Sequence, residues 1–183
     1  MRFSGAVLAG GRSSRFGQDK ARFVYRGRAL LEWVLLSLEE ADERFVVAKR
    51  VYPEFGVPVY ADLVEAGPLG GLYTALRRAA APWVAVAACD LPHLRREYWA
   101  FLLSWAYDRP VIPLDEQGRL QPLAGLYPTA LASSLEAALY RGARSLKGFL
   151  REVGYREIPW EHLVPFGSSL LLNANRPEDL GSM

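Results

Sequence analysis

Residues 8–20 of the chain read Leu-Ala-Gly-Gly-Arg-Ser-Ser-Arg-Phe-Gly-Gln-Asp-Lys, a combination suited to holding phosphate. Gly10 and Gly11 let the backbone approach a ligand closely and take up positive φ at little cost. Successive N–H groups in such a turn form an anion-binding concavity, and Arg12, Arg15 and Lys20 add charge that suits a triphosphate. By itself the glycine pair also reads as a tight turn beside solvated arginines. A P-loop is excluded, because Lys20 stands three residues after Gly17 and is followed by Ala21. A Gly-x-Gly-x-x-Gly dinucleotide fingerprint is absent.

Two carboxylates stand where apolar runs end. Asp90 follows the run 83–88 and Cys89, and a hard cation on a carboxylate oxygen would supply the charge neutralisation that phosphoryl transfer needs. From the residues alone, Asp90 serves equally well as a cap for a helix beginning near Leu94. Asp62 opens a loop running through Gly67-Pro68-Leu69-Gly70-Gly71, and could accept hydrogen bonds from a guanine edge or a ribose. Its alternative is an ordinary surface Asp before a capped helix. Free N–H groups at that helix start could meet a phosphate or a base edge. Cys89 lacks a suitable histidine base beyond His93 and reads as a small apolar filler, while His93 reads as a surface or loop histidine.

The elements that position these groups follow from hydrophobic patterning. Runs 3–8, 44–48, 57–60 and 83–88 read as strands, apolar without alternation as expected for a parallel sheet buried on both faces. Stretches 29–40 and 69–80 carry apolar residues at helical spacing, with Pro68 suited to a first helical position. Further on, 110–114 and 120–127 are strand-like around the turn 115–118, 129–140 and 145–153 look helical, and 155–159 reads as a short edge strand. Alternating strands and helices indicate an α/β fold, a single-domain doubly wound and mainly parallel sheet over residues 1–183. Ligands of such sheets sit beyond the strands' carboxyl ends, here just after Leu8, Tyr60, Ala88 and the short apolar run 170–172.

Composition narrows the class of partner. A formal net charge of +2 is too small for a nucleic-acid surface, so phosphate binding must be local. One cysteine excludes an internal disulfide and suits a reducing compartment; two histidines make a His-rich zinc site unexpected. No apolar run approaches the roughly 20 residues of a membrane span, and the start of the chain is too short an apolar stretch for a signal peptide. A cytoplasmic protein is expected.

The string 8–20 resembles the signature of the molybdenum cofactor guanylyltransferases (the molybdopterin-guanine dinucleotide synthase family), within the nucleotidyltransferases of the Rossmann-like nucleotide-diphospho-sugar transferase type. Cys-Asp-x-Pro at 89–92, Asp62 with the following Gly-Pro-Leu-x-Gly, and Asn-x-Asn-x-Pro-Glu-Asp-Leu at 173–180 match three further motifs of that family, in order. The resemblance implies that Leu8, Ala9 and Gly10 contact a guanine nucleotide through their backbone, with Gly11 in the same loop. It implies that Lys20 reaches the phosphates, assisted by Arg15, that Asp62 contacts the nucleotide, and that Asp90 holds Mg²⁺, with Asn175 as a second metal ligand. One departure stands out: where the family commonly offers an Asn after the second strand, this chain has Ala48-Lys49-Arg50, so either cation substitutes or the contact is missing. Gln121 falls near the presumed acceptor side.

The activity implied is transfer of GMP from GTP to the phosphate of molybdopterin, releasing pyrophosphate. Expected partners are GTP, the molybdopterin cofactor, and proteins that insert molybdenum or mature molybdoenzymes, but neither nucleic acid nor membrane. The rivals are a transferase using CTP or another phosphorylated acceptor, and a catalytically silent nucleotide-binding module. Related cytidylyltransferases tend to carry Ala-Ala-Gly where this chain has Ala9-Gly10-Gly11, which favours GTP. A phosphate monoester is already mostly ionised near neutral pH, so no essential histidine is expected.

Overall fold

The computed structural model of the chain describes residues 1–10 and 18–181. Its strands are β1 (Phe3–Leu8), β2 (Val24–Tyr25), β3 (Arg28–Ala29), β4 (Glu43–Val47), β5 (Val59–Tyr60), β6 (Trp83–Ala88), β7 (Val111–Pro113), β8 (Ala124–Pro128) and β9 (Arg156–Ile158). Its α-helices are α1 (Leu30–Ser37), α2 (Gly67–Arg78), α3 (Arg96–Leu103), α4 (Ala132–Tyr140), α5 (Leu146–Val153) and α6 (Glu178–Gly181). Seven strands make one sheet in the order β5-β4-β1-β6-β8-β7-β9, and β2 and β3 form a separate hairpin.

Two cores, one on each face of the sheet, explain the continuous apolar runs. Along β1, Val7 packs with α1 and α3 while its neighbour Ala6 packs with α2. On β6, Ala85 and Ala87 join the first core, with Leu31, Val34 and Leu35 of α1 and Trp99 and Leu102 of α3. Val84 and Val86 point the other way, onto Leu69, Leu72 and Leu76 of α2, Leu135 of α4 and Phe149 of α5. A strand whose successive side chains enter two cores has no solvent face, so polar alternation is absent. The sheet is wound on both faces, as its apolar strands imply.

The β1, β4, β5 and β6 pairings are parallel, as is β7 with β9, which lies at the sheet edge. β8 departs from this rule: it runs antiparallel to both β6 and β7. The cause lies in the connection from β7. Asp115 Oδ1 accepts from the N–H groups of Gln117 and Arg119, each at 2.9 Å, and Gly118 takes φ +77°. The chain therefore reverses, and β8 inserts between β6 and β7. Gln121 helps hold this turn, its Nε2 donating to Asp115 Oδ2 at 2.8 Å.

The apolar run 170–172 forms a turn and no strand; Leu170 and Leu171 are buried in the first core. Ala174 N–H then donates to the Asp90 carbonyl at 2.8 Å, which ties the chain's end to the exit of β6. Among the described residues no helix is long and apolar enough to cross a membrane.

Candidate active site

The carboxyl ends of β1, β4, β5 and β6 open into a cavity of about 420 Å³, lined by residues from each of the first three motif regions. Leu8, Ala9 and Gly10 form one wall, Asp19 and Lys20 the next, and Cys89 and Asp90 the floor beyond β6. Asp62, Glu65, Gly67 and Pro68 close it from the α2 side, with Lys49 arriving from the loop after β4. Gly11, Arg12 and Arg15 lie outside the described residues.

Asp90 and Lys20 meet here. Lys20 Nζ stands 3.7 Å from Asp90 Oδ2, and each side chain keeps only 18% of its exposure. Asp90 Oδ1 is buried and has no hydrogen-bond partner among the described residues. Burial pushes the Asp90 carboxyl above its ordinary range, and the nearby Lys20 charge pulls it back only in part. The helix-cap reading fails, because α3 begins at Arg96 with Arg95 as its N-cap and no side-chain cap bond.

Lys20 sits on a single 3₁₀ turn, Lys20–Arg22, that has too little length to hold itself and is capped from outside. Asp19 Oδ1 accepts the Ala21 N–H at 3.2 Å and the Tyr52 hydroxyl at 3.1 Å. Its other oxygen faces Arg22 at 3.4 Å and Arg50 at 3.6 Å.

Asp62 has a similar character to Asp90. Its Oδ1 is buried and unpartnered among the described residues, and burial raises the carboxyl above its ordinary range, with Lys49 opposing and Glu65 reinforcing the rise. It caps no helix, since α2 has Ala66 at its N-cap without a side-chain bond. The loop that carries it is pressed onto α2: a Cβ on Gly70 would lie 2.1 Å from the Val64 carbonyl oxygen. Leu63 N–H donates to Thr74 Oγ1 at 2.9 Å, a second tie between loop and helix.

The substituted run after β4 serves both ends of the cavity. Lys49 pairs with Glu65 at 3.1 Å, whereas Arg50 turns toward Asp19. Ala48 is buried.

Leu8 and Ala9 are partly engaged by the sheet, since Leu8 C=O accepts from Cys89 N–H at 3.2 Å and Ala9 N–H donates to Val47 C=O at 2.9 Å. Backbone approach therefore falls chiefly to Gly10, where an added Cβ would meet nothing within 4 Å among the described residues. Asn175 is exposed and does not line the cavity. Its N–H donates to Asp179 Oδ2 at 3.0 Å, one residue beyond the Ala174–Asp90 link.

Cys89 is inert as a nucleophile: burial, then the Asp90 charge, pushes its thiol up to about 12. His93 lies in the turn between β6 and α3, as a loop histidine. It is half-buried, with Nε2 enclosed and unpartnered and its ring edge-on to Tyr25 at 5.7 Å. Patterning missed Asp19 with its partner Tyr52, and also Glu65, the partner of Lys49. An Asp before a short helical turn is a capping signal that was available; nothing in the sequence singled out Tyr52.

Mg²⁺ takes one or two carboxylates and completes its shell with substrate phosphates and water. An orphaned, buried Asp90 Oδ1 beside an open cavity fits that requirement. Among the described residues no three His, Cys, Asp or Glu converge on a point, so a caged, all-protein site is not on offer.

The mainly parallel, doubly wound sheet is of the Rossmann-like nucleotide-diphospho-sugar transferase type. The chain belongs to the MobA-like NTP transferase domain family, whose model matches residues 5–157. It is 37% identical to a protein of Deinococcus radiodurans named "Probable molybdenum cofactor guanylyltransferase", over 97% of this chain and 92% of that one. A protein of the same name from Thermococcus gammatolerans is 35% identical, over 98% and 97%. Among solved structures, the molybdopterin-guanine dinucleotide biosynthesis protein A of Archaeoglobus fulgidus is similar at TM-score 0.80 and 27% identity, covering 98% of this chain and 95% of that one. A 2-C-methyl-D-erythritol 4-phosphate cytidylyltransferase of Thermus thermophilus shares the fold at TM-score 0.75 and 21% identity, covering 100% and 97%.

Proposed function

We propose that the protein transfers GMP from GTP to the phosphate of molybdopterin, forming the guanine dinucleotide cofactor and pyrophosphate. The observation that carries this reading is the meeting of Lys20 and Asp90 at 3.7 Å on the wall of a cavity that also holds Gly10 and Asp62. The names of relatives matched over nearly the whole chain support the same substrates.

In this reading a phosphate oxygen of the acceptor attacks the α-phosphorus of GTP. The new P–O bond forms as the bond to the β-phosphate oxygen breaks, and pyrophosphate leaves with the electron pair. Lys20 neutralises charge that grows on the departing phosphates, in a partly dry site where each such contact counts for more. Gly10 leaves room for the nucleotide to approach the backbone, and Arg15 adds charge from the same loop. Asp62 accepts from the N1–H and 2-amino groups of guanine, or from the ribose. Mg²⁺ held by Asp90 would supply neutralisation of phosphate charge. No protein base is needed, because the acceptor's second pKa is about 6.

Equilibrium binding of GTP, CTP, ATP and UTP, with and without Mg²⁺, tests the proposal. Selective GTP binding that depends on Mg²⁺ in the wild type and not in Asp90→Asn supports it. Preference for CTP moves the protein to cytidylyl transfer, and failure to bind any nucleotide refutes the reading.

A further inference from the structure

Tyr52 is 1% exposed, yet it carries a hydroxyl that a phenylalanine in the same core would not. Burying a phenol costs desolvation unless the O–H finds a partner, and its hydrogen-bond acceptor here is Asp19 Oδ1 at 3.1 Å. That same oxygen caps the 3₁₀ turn bearing Lys20, through the Ala21 N–H at 3.2 Å. Burial, and then the Asp19 charge, hold the phenol well above its ordinary value, so Tyr52 remains a donor across the whole working range of pH.

The rest of the loop after β4 grips the same turn. Arg22, within the turn, donates to Val51 C=O at 2.8 Å and pairs with Glu54, and its guanidinium lies 4.7 Å from the Tyr52 ring centroid. Arg50 faces Asp19 from the other side. A short helical turn has little rigidity of its own. The ammonium's place opposite Asp90 is therefore set from outside, and Tyr52 brings a buried side chain to that grip.

We propose that Tyr52 is a positioning residue for the phosphate-binding lysine, acting through Asp19 to fix the turn that aims Lys20 at the cavity. This rests on the reading of the cavity as a nucleoside triphosphate site. Tyr52 touches no substrate in this scheme; it acts through Asp19 on the wall where phosphate is held. It should therefore matter for a ligand with phosphates and not for one without.

The test is to measure binding of GTP and of guanosine to the wild type, Tyr52→Phe, Asp19→Asn and the double variant. A hydrogen bond to a charged group is lost in Tyr52→Phe, so GTP should bind about tenfold more weakly while guanosine is unchanged. The double variant should be no worse than Asp19→Asn, because both changes break one chain of contacts. Thermal melting without nucleotide should stay within about 3 °C of the wild type. Equal weakening of both ligands, or additive losses in the double variant, would overturn the proposal and make Tyr52 a packing residue. Should Tyr52→Phe prove unstable, Asp19→Asn alone decides: a loss confined to GTP supports the chain of contacts, and a uniform loss overturns it. Wild-type protein that binds GTP while Tyr52→Phe binds it equally well sinks this role and leaves the function standing. If the wild type binds no nucleoside triphosphate, both fall together.

Discussion

Lys20 Nζ lies 3.7 Å from Asp90 Oδ2, yet Asp90 still has an oxygen that is buried and unpaired. The lysine is thus close enough to restrain the carboxylate and too far to satisfy it. Burial of this kind leaves the acid costly to ionise.

Asp90→Asn should separate stability from activity. Burial raises the folded carboxyl above its ordinary value of 3.8, so the folded chain holds that proton more tightly than the unfolded chain does. The resulting penalty is absent below the ordinary value and grows as pH rises through the raised one. At neutral pH the neutral amide removes it, and the nucleotide-free variant should melt higher, by about 2–4 °C for each kcal/mol relieved. Turnover should fall on the order of a hundredfold or more. Calorimetry and a pyrophosphate-release assay check both; an unchanged rate would take Asp90 out of the site.

Asp62→Asn should change which purine is preferred. Inosine triphosphate lacks the 2-amino group that a carboxylate would accept from. Wild type should favour GTP over it by about tenfold, the worth of one hydrogen bond to a charged group. In Asp62→Asn that preference should shrink toward parity in a titration experiment. A preference that survives, with discrimination against 2′-deoxy-GTP lost instead, would put Asp62 on the ribose.

Gly70→Ala should loosen the Asp62 loop, because its Cβ would sit 2.1 Å from a backbone oxygen that cannot move without dragging Val64. Overpacking of this order costs about 1–3 kcal/mol. Gly71→Ala is the control: its nearest neighbour is Leu8 Cδ1 at 3.0 Å, the tip of a flexible side chain. Thermal melts should show the larger drop for Gly70→Ala, accompanied by weaker nucleotide binding.

His93 should matter for acid stability and not for turnover. Burial, then the Arg26 charge, depresses its folded pKa below the ordinary 6.5. The unfolded chain therefore takes up a proton from about 6.5 downward while the folded chain resists. The stability linked to this group is complete above that value and is lost as pH falls through the depressed one. His93→Gln should flatten that part of the melting-temperature profile, and His93→Gln with His162→Gln should leave the rate near that of wild type. Loss of turnover in a folded double variant would reinstate a histidine in the mechanism.

The sequence by itself determined the central strands and the groups at their ends. β1 and β6 are read from apolar runs with the boundaries they have in the structure, because a strand buried on both faces leaves an unbroken local signature. Gly10, Asp62 and Asp90 each stand two residues past the end of an apolar run, at Leu8, Tyr60 and Ala88, and strand ends are where a doubly wound sheet exposes backbone to ligand. The family was legible for the same reason, since its motifs are short, ordered and local.

Tertiary structure decided what depends on contacts between distant segments. Periodicity is indifferent to strand direction, so the antiparallel insertion of β8 followed only from the reversal at Asp115. Buried apolar residues look alike at a strand end and in a packed turn, and the short apolar run 170–172 proved to be the turn. The hairpin β2–β3 has two residues per strand, too few for any period to register. Whether Lys49 or Arg50 would stand in for the missing asparagine had no local answer. Packing divided them, Lys49 to Glu65 and Arg50 to Asp19, because the loop after β4 passes between the two ends of one cavity. Composition tells which charges a chain owns; only the fold tells which of them meet.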